Sequence, residues 1–261
     1  FYDCRNLAQV TIGNRVTSIG TTAFCNCMAL KTITIPEGVV SIESGAFLNC
    51  NRLTSVILPD SVTVIGAGAF QACASLTSVT IGRGVEEIGY EAFAYCEKLV
   101  EVINNSTLDI IKGSDDGMYA GYYALNIKKG GTTDIVNRDG YLFYTYENVH
   151  YLLGYAGDGT ELVLPENYNG QTYEIYQSAF RYQDQIESVT IGSGVTSIGK
   201  SAFSDCDALT SVKFSKTDGW KCYENADGEN GTVLPAEELS DPSLAAEYLT
   251  SSRSYFCWKR G

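Results

Sequence analysis

Hydrophobic positions along the chain recur every 23 residues. Phe1, Phe24, Phe47, Phe70 and Phe93 share one register. So do Cys4, Cys27, Cys50, Cys73 and Cys96, and Leu7, Leu30, Leu53, Leu76 and Leu99. Val10, Ile33, Val56, Val79 and Val102 keep the step, as do Val16, Val39, Val62 and Val85, and Ile19, Ile42, Ile65 and Ile88. After a gap the register returns with Phe180 and Phe203, Ile186 and Leu209, and Val189 and Val212. Self-similarity at such a period marks a stacked repeat architecture, in which each copy buries its apolar face against its neighbours.

One copy shows the elements. In LTSVTIG (76–82), Val79 and Ile81 alternate with Ser78 and Thr80, which predicts a short strand with one buried and one exposed face. Gly82 and Gly84 turn the chain, with Pro36 and Pro59 at the first of these positions in other copies. GVEEIG (84–89) predicts a second short extended piece that buries Val85 and Ile88. YEAFAYC (90–96) predicts a short helical turn, since Ala92 and Cys96 are four apart with Phe93 between them. Stacking places equivalent strands about 4.8 Å apart.

The period is clean over 1–103 and 161–214. Residues 104–160 read as an elaborated repeat followed by a β-hairpin insert. DGYLFYTYENVHYLLGY (139–155) alternates on both sides of Glu147-Asn148, a hairpin pattern. Leu162 and Leu164 restart the strand, and Ile175 stands five before Phe180 as Ile198 stands five before Phe203. ENYNGQTY (166–173) is then a longer turn within a repeat. Residues 215–261 leave the pattern. Asp241 and Pro242 suit the start of a helix over 241–249, and SYFCWKRG (254–261) reads as a strand. Trp220, Leu249, Tyr255, Phe256 and Trp258 are expected to cap the last core layer. A single solenoid domain over 1–261 is the expectation. The first residues, FYDC, lie inside a repeat, so the chain is expected to begin in mid-architecture with its native leader removed.

Charge and chemistry narrow the function. The formal net charge is −13, which disfavours nucleic acid and anionic membrane surfaces. No apolar run is long enough for a membrane span. Of nine cysteines, Cys4, Cys27, Cys50, Cys73, Cys96 and Cys206 hold one repeat position that suits a small buried hydrophobe. Gln183 takes that position in another copy, which packing tolerates and metal ligation does not. Cys25-Asn26-Cys27 lacks a second pair at zinc spacing. Pairing of Cys222 with Cys257 stays open. His150, the single histidine, has no nucleophile motif beside it. Asp115-Asp116, Glu86-Glu87 and Glu237-Glu238 are sequence neighbours, not carboxylates facing across a cleft. NADGEN (225–230) and GDGT (157–160) match the calcium-loop pattern only in fragments. No catalytic residue, cofactor or metal site is expected.

The motif LTSVTIxxxVxxIGxxAFxxCxx recurs with Ala23-Phe24, Ala46-Phe47, Ala69-Phe70, Ala92-Phe93, Ala179-Phe180 and Ala202-Phe203. It resembles the BspA-like leucine-rich repeats of bacterial cell-surface proteins. The resemblance implies a right-handed leucine-rich-repeat-type solenoid of short β-strands and short helical turns. It also implies an extracellular or surface location and a non-enzymatic adhesive role, through binding of host extracellular proteins or other cells. A spacer or stalk module is the alternative, and a glycan-binding or glycan-acting protein a further one. A monomer is expected, with protein or glycan as partner.

The extended surface such repeats build is the exposed side of the first strand. Its candidate binding residues are Thr32, Thr34, Ser55, Ser78, Thr80, Glu101, Ser188 and Thr190. Tyr122, Tyr144 and Tyr146 join them from an aromatic cluster in the insert and hairpin that also holds Tyr119, Tyr123, Tyr141, Phe143 and Tyr151. Ser and Thr also merely suit exposed strands. Ice binding is disfavoured, because Thr32/Thr34 is the one T-x-T pair and Ile57 and Ile103 interrupt the rank.

Overall fold

The periodic valines and isoleucines form stacked parallel strands in the computed structural model, which describes residues 1–224 and 231–261. NADGEN lies outside the described residues. The chain divides into two compact units, Phe1–Thr133 and Asp134–Gly261.

In the first unit the coils build two sheets, and the coils at 55–65 and 78–88 contribute a strand to each. One holds Ser55–Ile57, Ser78–Ile81, Glu101–Asn104 and Asn126–Lys128, all parallel. The other holds Ser18–Ile19, Ser41–Ile42, Val64–Ile65 and Glu87–Ile88. Pairing joins residues one period apart, as in Val56 with Val79 and Ile42 with Ile65. The apolar ladders of the sequence thus become columns. Phe24, Phe47, Phe70 and Phe93 are buried, with successive rings 5.2–5.3 Å apart and nearly parallel.

The Ala-Phe segment is a run of overlapping turns, not the helical turn its spacing suggested. Two residues per coil adopt positive φ, Glu91 (56°) and Tyr95 (60°) in one copy, Ser201 (56°) and Asp205 (57°) in another. A left-handed residue every few positions prevents a helical ladder from propagating. The freed N–H groups bond along the stack instead: Phe24 N to Ala46 O and Phe47 N to Ala69 O, both at 2.7 Å. Every backbone donor so used is satisfied without a helix.

The second unit repeats the scheme with additions. Glu161–Val163, Ser188–Ile191 and Ser211–Phe214 form a three-stranded parallel sheet. An eight-stranded mixed sheet runs in the order Thr232–Val233, Trp220–Tyr223, Cys257–Arg260, Val195–Ile198, Tyr173–Ile175, Val149–Tyr155, Tyr141–Tyr146 and Val136–Arg138. Tyr141–Tyr146 and Val149–Tyr155 are the hairpin, and its turn residues Glu147 and Asn148 both have positive φ, as a two-residue type I′ turn needs.

A helix at Pro242–Glu247 follows Asp241, whose side chain accepts from Ser243 N and Leu244 N. Trp220, Leu249 and Trp258 are buried in one cluster with Val212 of the last coil. Tyr255, expected to pack there, is exposed; it precedes the strand Cys257–Arg260, so it lies outside the alternation that turns Trp258 inward.

Candidate functional site

Strand register decides which candidate residues meet. Ser55, Ser78 and Glu101 are consecutive partners in one rank, continued by Asn126. Two residues on, Ile57, Thr80, Ile103 and Lys128 form the next rank. Thr32 and Thr34 belong to the preceding coil. They are exposed but lie outside regular strand, and Thr54 N bonds to Lys31 O at 3.2 Å to hold the register. In the second unit Ser188 pairs with Glu161 and Ser211, and Thr190 with Val163 and Lys213.

Simple alternation mispredicts some of these positions. Ser55 is exposed and Thr80 half-buried, but Ser78 and Glu101 are buried. All four residues of Glu101–Asn104 are buried, so this strand is covered on both faces. The Glu101 carboxylate is held by Lys128 at 3.0 Å. Tyr144 is likewise buried, between Phe143 and a half-exposed hairpin end. Leu142, Phe143 and Tyr144 are buried in succession, the mark of a strand covered on both sides. That apolar run was the signal in the sequence. Tyr146 is half-buried near the hairpin turn. Tyr122 is exposed and meets Tyr123 edge-on at 4.7 Å.

The chemical candidates settle into structural places. Thr145 and His150 are cross-strand partners with Oγ1 and Nδ1 2.8 Å apart, and the imidazole lies edge-on to Tyr168 at 5.2 Å. Glu238 accepts from the Tyr248 hydroxyl at 2.6 Å. Among the described residues no three metal-ligating groups cluster. All nine cysteines are free thiols. Cys222 pairs across the strands with Trp258, and Cys257 with Tyr223. Adjacent pairs alternate faces, so the two thiols point to opposite sides of the sheet. Cys4 is exposed, not buried as its repeat position implied.

A second surface went unrecognised in the sequence, apart from one tyrosine of the aromatic cluster. On the mixed sheet Tyr151, Glu174, Ser197 and Lys259 are successive register partners across four strands. They alternate with Leu152, Ile175, Ile198 and Trp258, all buried. The outward row lines a groove of about 240 Å³ together with Tyr176, Gln177 and Lys200. Tyr151 and Tyr176 meet edge-on at 5.5 Å. Burial pushes Tyr176 up to about 12 and raises Tyr151, so both phenols keep their protons. Burial also raises the Glu174 carboxyl, and the Lys259 ammonium opposes that rise. The sequence signal was small: Glu174 and Ser197 stand one before the buried Ile175 and Ile198 of the second extended segment.

The family model of the BspA type leucine rich repeat region matches in six copies over residues 1–115 and 162–225. No curated protein matches the chain. Among solved structures, a leucine-rich repeat protein of T. pallidum is 22% identical, covering 80% of this chain and 68% of its own, with a TM-score of 0.39. A leucine rich cell surface protein of Faecalibacterium prausnitzii is 26% identical, with coverage of 80% and 68% and a TM-score of 0.34. A leucine-rich repeat protein of Bacteroides ovatus is 26% identical, with coverage of 82% and 57% and a TM-score of 0.40.

Proposed function

We propose, for a chain that belongs to the BspA-type leucine-rich repeat family, a non-enzymatic role as a binding protein at a bacterial surface or released from it. It attaches to host extracellular proteins or to other cells through the outward side of its first-strand sheets. The observation that carries this reading is one repeat position. Ile57 and Val163 occupy it in the two units, both outward on a parallel sheet and both 68% exposed. Each is flanked in register by polar residues, Thr80 beside Ile57 and Thr190 beside Val163.

β-branched side chains on a hydrogen-bonded sheet have little rotamer freedom left to lose. Burying them against a partner therefore returns most of the hydrophobic gain, roughly 1.5–3 kcal/mol for a fully buried side chain. Thr80 beside Ile57 and Thr190 beside Val163 supply hydrogen bonds at fixed spacing. Catalysis finds less support, since His150 is engaged with Thr145 inside a hairpin.

The test is an array of extracellular-matrix proteins and whole cells probed with the full chain. Saturable binding is expected, weakened at least tenfold by Ile57→Glu or Thr80→Arg with the circular dichroism spectrum unchanged. An array without binding would overturn the adhesive reading and leave the spacer role.

A further inference from the structure

We propose that the outward row of the second unit's mixed sheet is a binding groove for a neutral saccharide, with Tyr151 and Tyr176 as its aromatic wall and Glu174, Ser197 and Lys259 as its polar floor. This groove is separate from the sheet positions of Ile57 and Val163 and does not depend on their function.

The row is rigid. Its four residues sit on hydrogen-bonded strands; Tyr151, Glu174 and Ser197 are each followed by a buried residue, and Lys259 is preceded by buried Trp258, which fixes the backbone. Strand spacing of about 4.8 Å spreads the four side chains over about 14 Å. The volume of about 240 Å³ falls below the roughly 300–1,000 Å³ of pockets that enclose drug-sized ligands. It suits one sugar ring lying against a sheet.

The donor and acceptor order points to hydroxyls. Along the row come an aromatic ring, a carboxylate, a hydroxyl and an ammonium, with the Gln177 amide and Lys200 at the margin. A carboxylate only accepts and an ammonium only donates. A ring hydroxyl does both, so hydroxyls at different positions of one sugar can bond to the carboxylate and to the ammonium. The tyrosine faces, apolar in body and polar at the tip, cover the C–H face of the ring. A cationic ligand would meet Lys200 and Lys259, and an anionic one would meet Glu174 at the centre. Glu174 is the one carboxylate among the lining residues. Glycosidic cleavage needs a pair, so the groove binds without cutting.

Glu174 adds an argument from stability. Its carboxyl is raised mainly by burial, so the ionised form works against folding at neutral pH. A glutamine of the same shape would remove that penalty. Groups that oppose stability concentrate where function needs them.

The test uses the full chain on immobilised glycans ending in glucose, galactose, mannose or sialic acid, with calorimetry on each binder. Binding of neutral hexose termini is expected, with Kd on the order of 0.1–1 mM, a range of weak affinity. Tyr151→Ala and Glu174→Gln should each weaken it at least tenfold, while Glu174→Gln leaves Tm equal or higher. Ile57→Glu should leave it unchanged, so this proposal and the adhesive reading fail separately. Absence of hexose binding, a preference for sialic acid, or full binding by both groove variants would overturn the groove.

Discussion

The Sγ of Cys73 donates to the carbonyl oxygen of Phe47 at 3.2 Å, from one coil back to the one before. The same bond joins Cys27 to Phe1, Cys50 to Phe24, Cys96 to Phe70 and Cys206 to Phe180, at 3.0–3.3 Å. The position therefore wants more than a small apolar group. It wants a compact donor that reaches the neighbouring coil. Gln183, at the same position in another copy, confirms the demand by placing its Nε2 2.9 Å from Tyr155 O.

Removing one such donor should be measurable. Cys73→Ala deletes both the thiol's packing and its bond, and should cost about 1–3 kcal/mol. Cys73→Ser keeps a donor and should recover part of that loss. Urea unfolding at neutral pH checks both, and equal losses would mean that the bond contributes nothing beyond volume.

The same burial sets a pH dependence. Burial pushes Cys50 and Cys96 from 9.0 up to about 12. Below pH 9 both folded and unfolded chains hold these protons, and stability is at its full value. Between pH 9 and about 12 only the unfolded chain releases them, so each thiol removes about 1.4 kcal/mol per pH unit. Wild type should lose stability more steeply over that window than Cys96→Ala does. Parallel curves would contradict the burial. In native protein at pH 8, a maleimide should modify exposed Cys4 within minutes and leave Cys50, Cys73 and Cys96 untouched until the chain unfolds.

What the sequence made legible follows from what sets each feature. The columns could be read because a 23-residue period fixes which side chains stack, whatever the turns do. The hairpin turn at Glu147-Asn148 and the helix after Asp241 could be read because each is local chemistry. The Ala-Phe turn could not, since the left-handed φ at Glu91 goes with a bond from its N–H to Gly117 O in the next coil and not with that residue's own preference. Burial of Ser78, Glu101 and Tyr144 escaped for a related reason: alternation reports which side a residue takes, not whether that side is covered. The groove row escaped because Tyr151, Glu174, Ser197 and Lys259 come from four strands spanning 151 to 259, and the last of them pairs antiparallel outside the period.

The phenylalanine column should show position-dependent cost. Phe70 is fully buried between Phe47 and Phe93, so Phe70→Ala should cost about 3–5 kcal/mol. Phe1 stacks on Phe24 on one side only and is 66% exposed. Phe1→Ala should cost well under half as much, on the order of 1 kcal/mol by the same area argument. Similar losses at Phe1 and Phe70, read from urea midpoints, would show that the rings do not stabilise by burial.

Close approach between coils gives the last test. A Cβ added at Gly66 would stand 2.5 Å from Ser44 N and 2.6 Å from Glu43 C, backbone atoms that cannot rotate away. The chain comes close there because Gly66 N bonds to Ile42 O at 2.7 Å. One coil earlier Glu43 holds the same repeat position with a longer bond to Ile19 O, 2.9 Å. At Gly20, the position's first occurrence, an added Cβ would meet nothing within 4 Å. Gly66→Ala should therefore destabilise by about 1–3 kcal/mol through overpacking. Gly20→Ala should be neutral or stabilise by up to about 1 kcal/mol, since it only restricts the unfolded chain. Thermal and urea unfolding of the two variants distinguish these outcomes, and a tolerated Gly66→Ala would mean that the coils can separate at this point without loss.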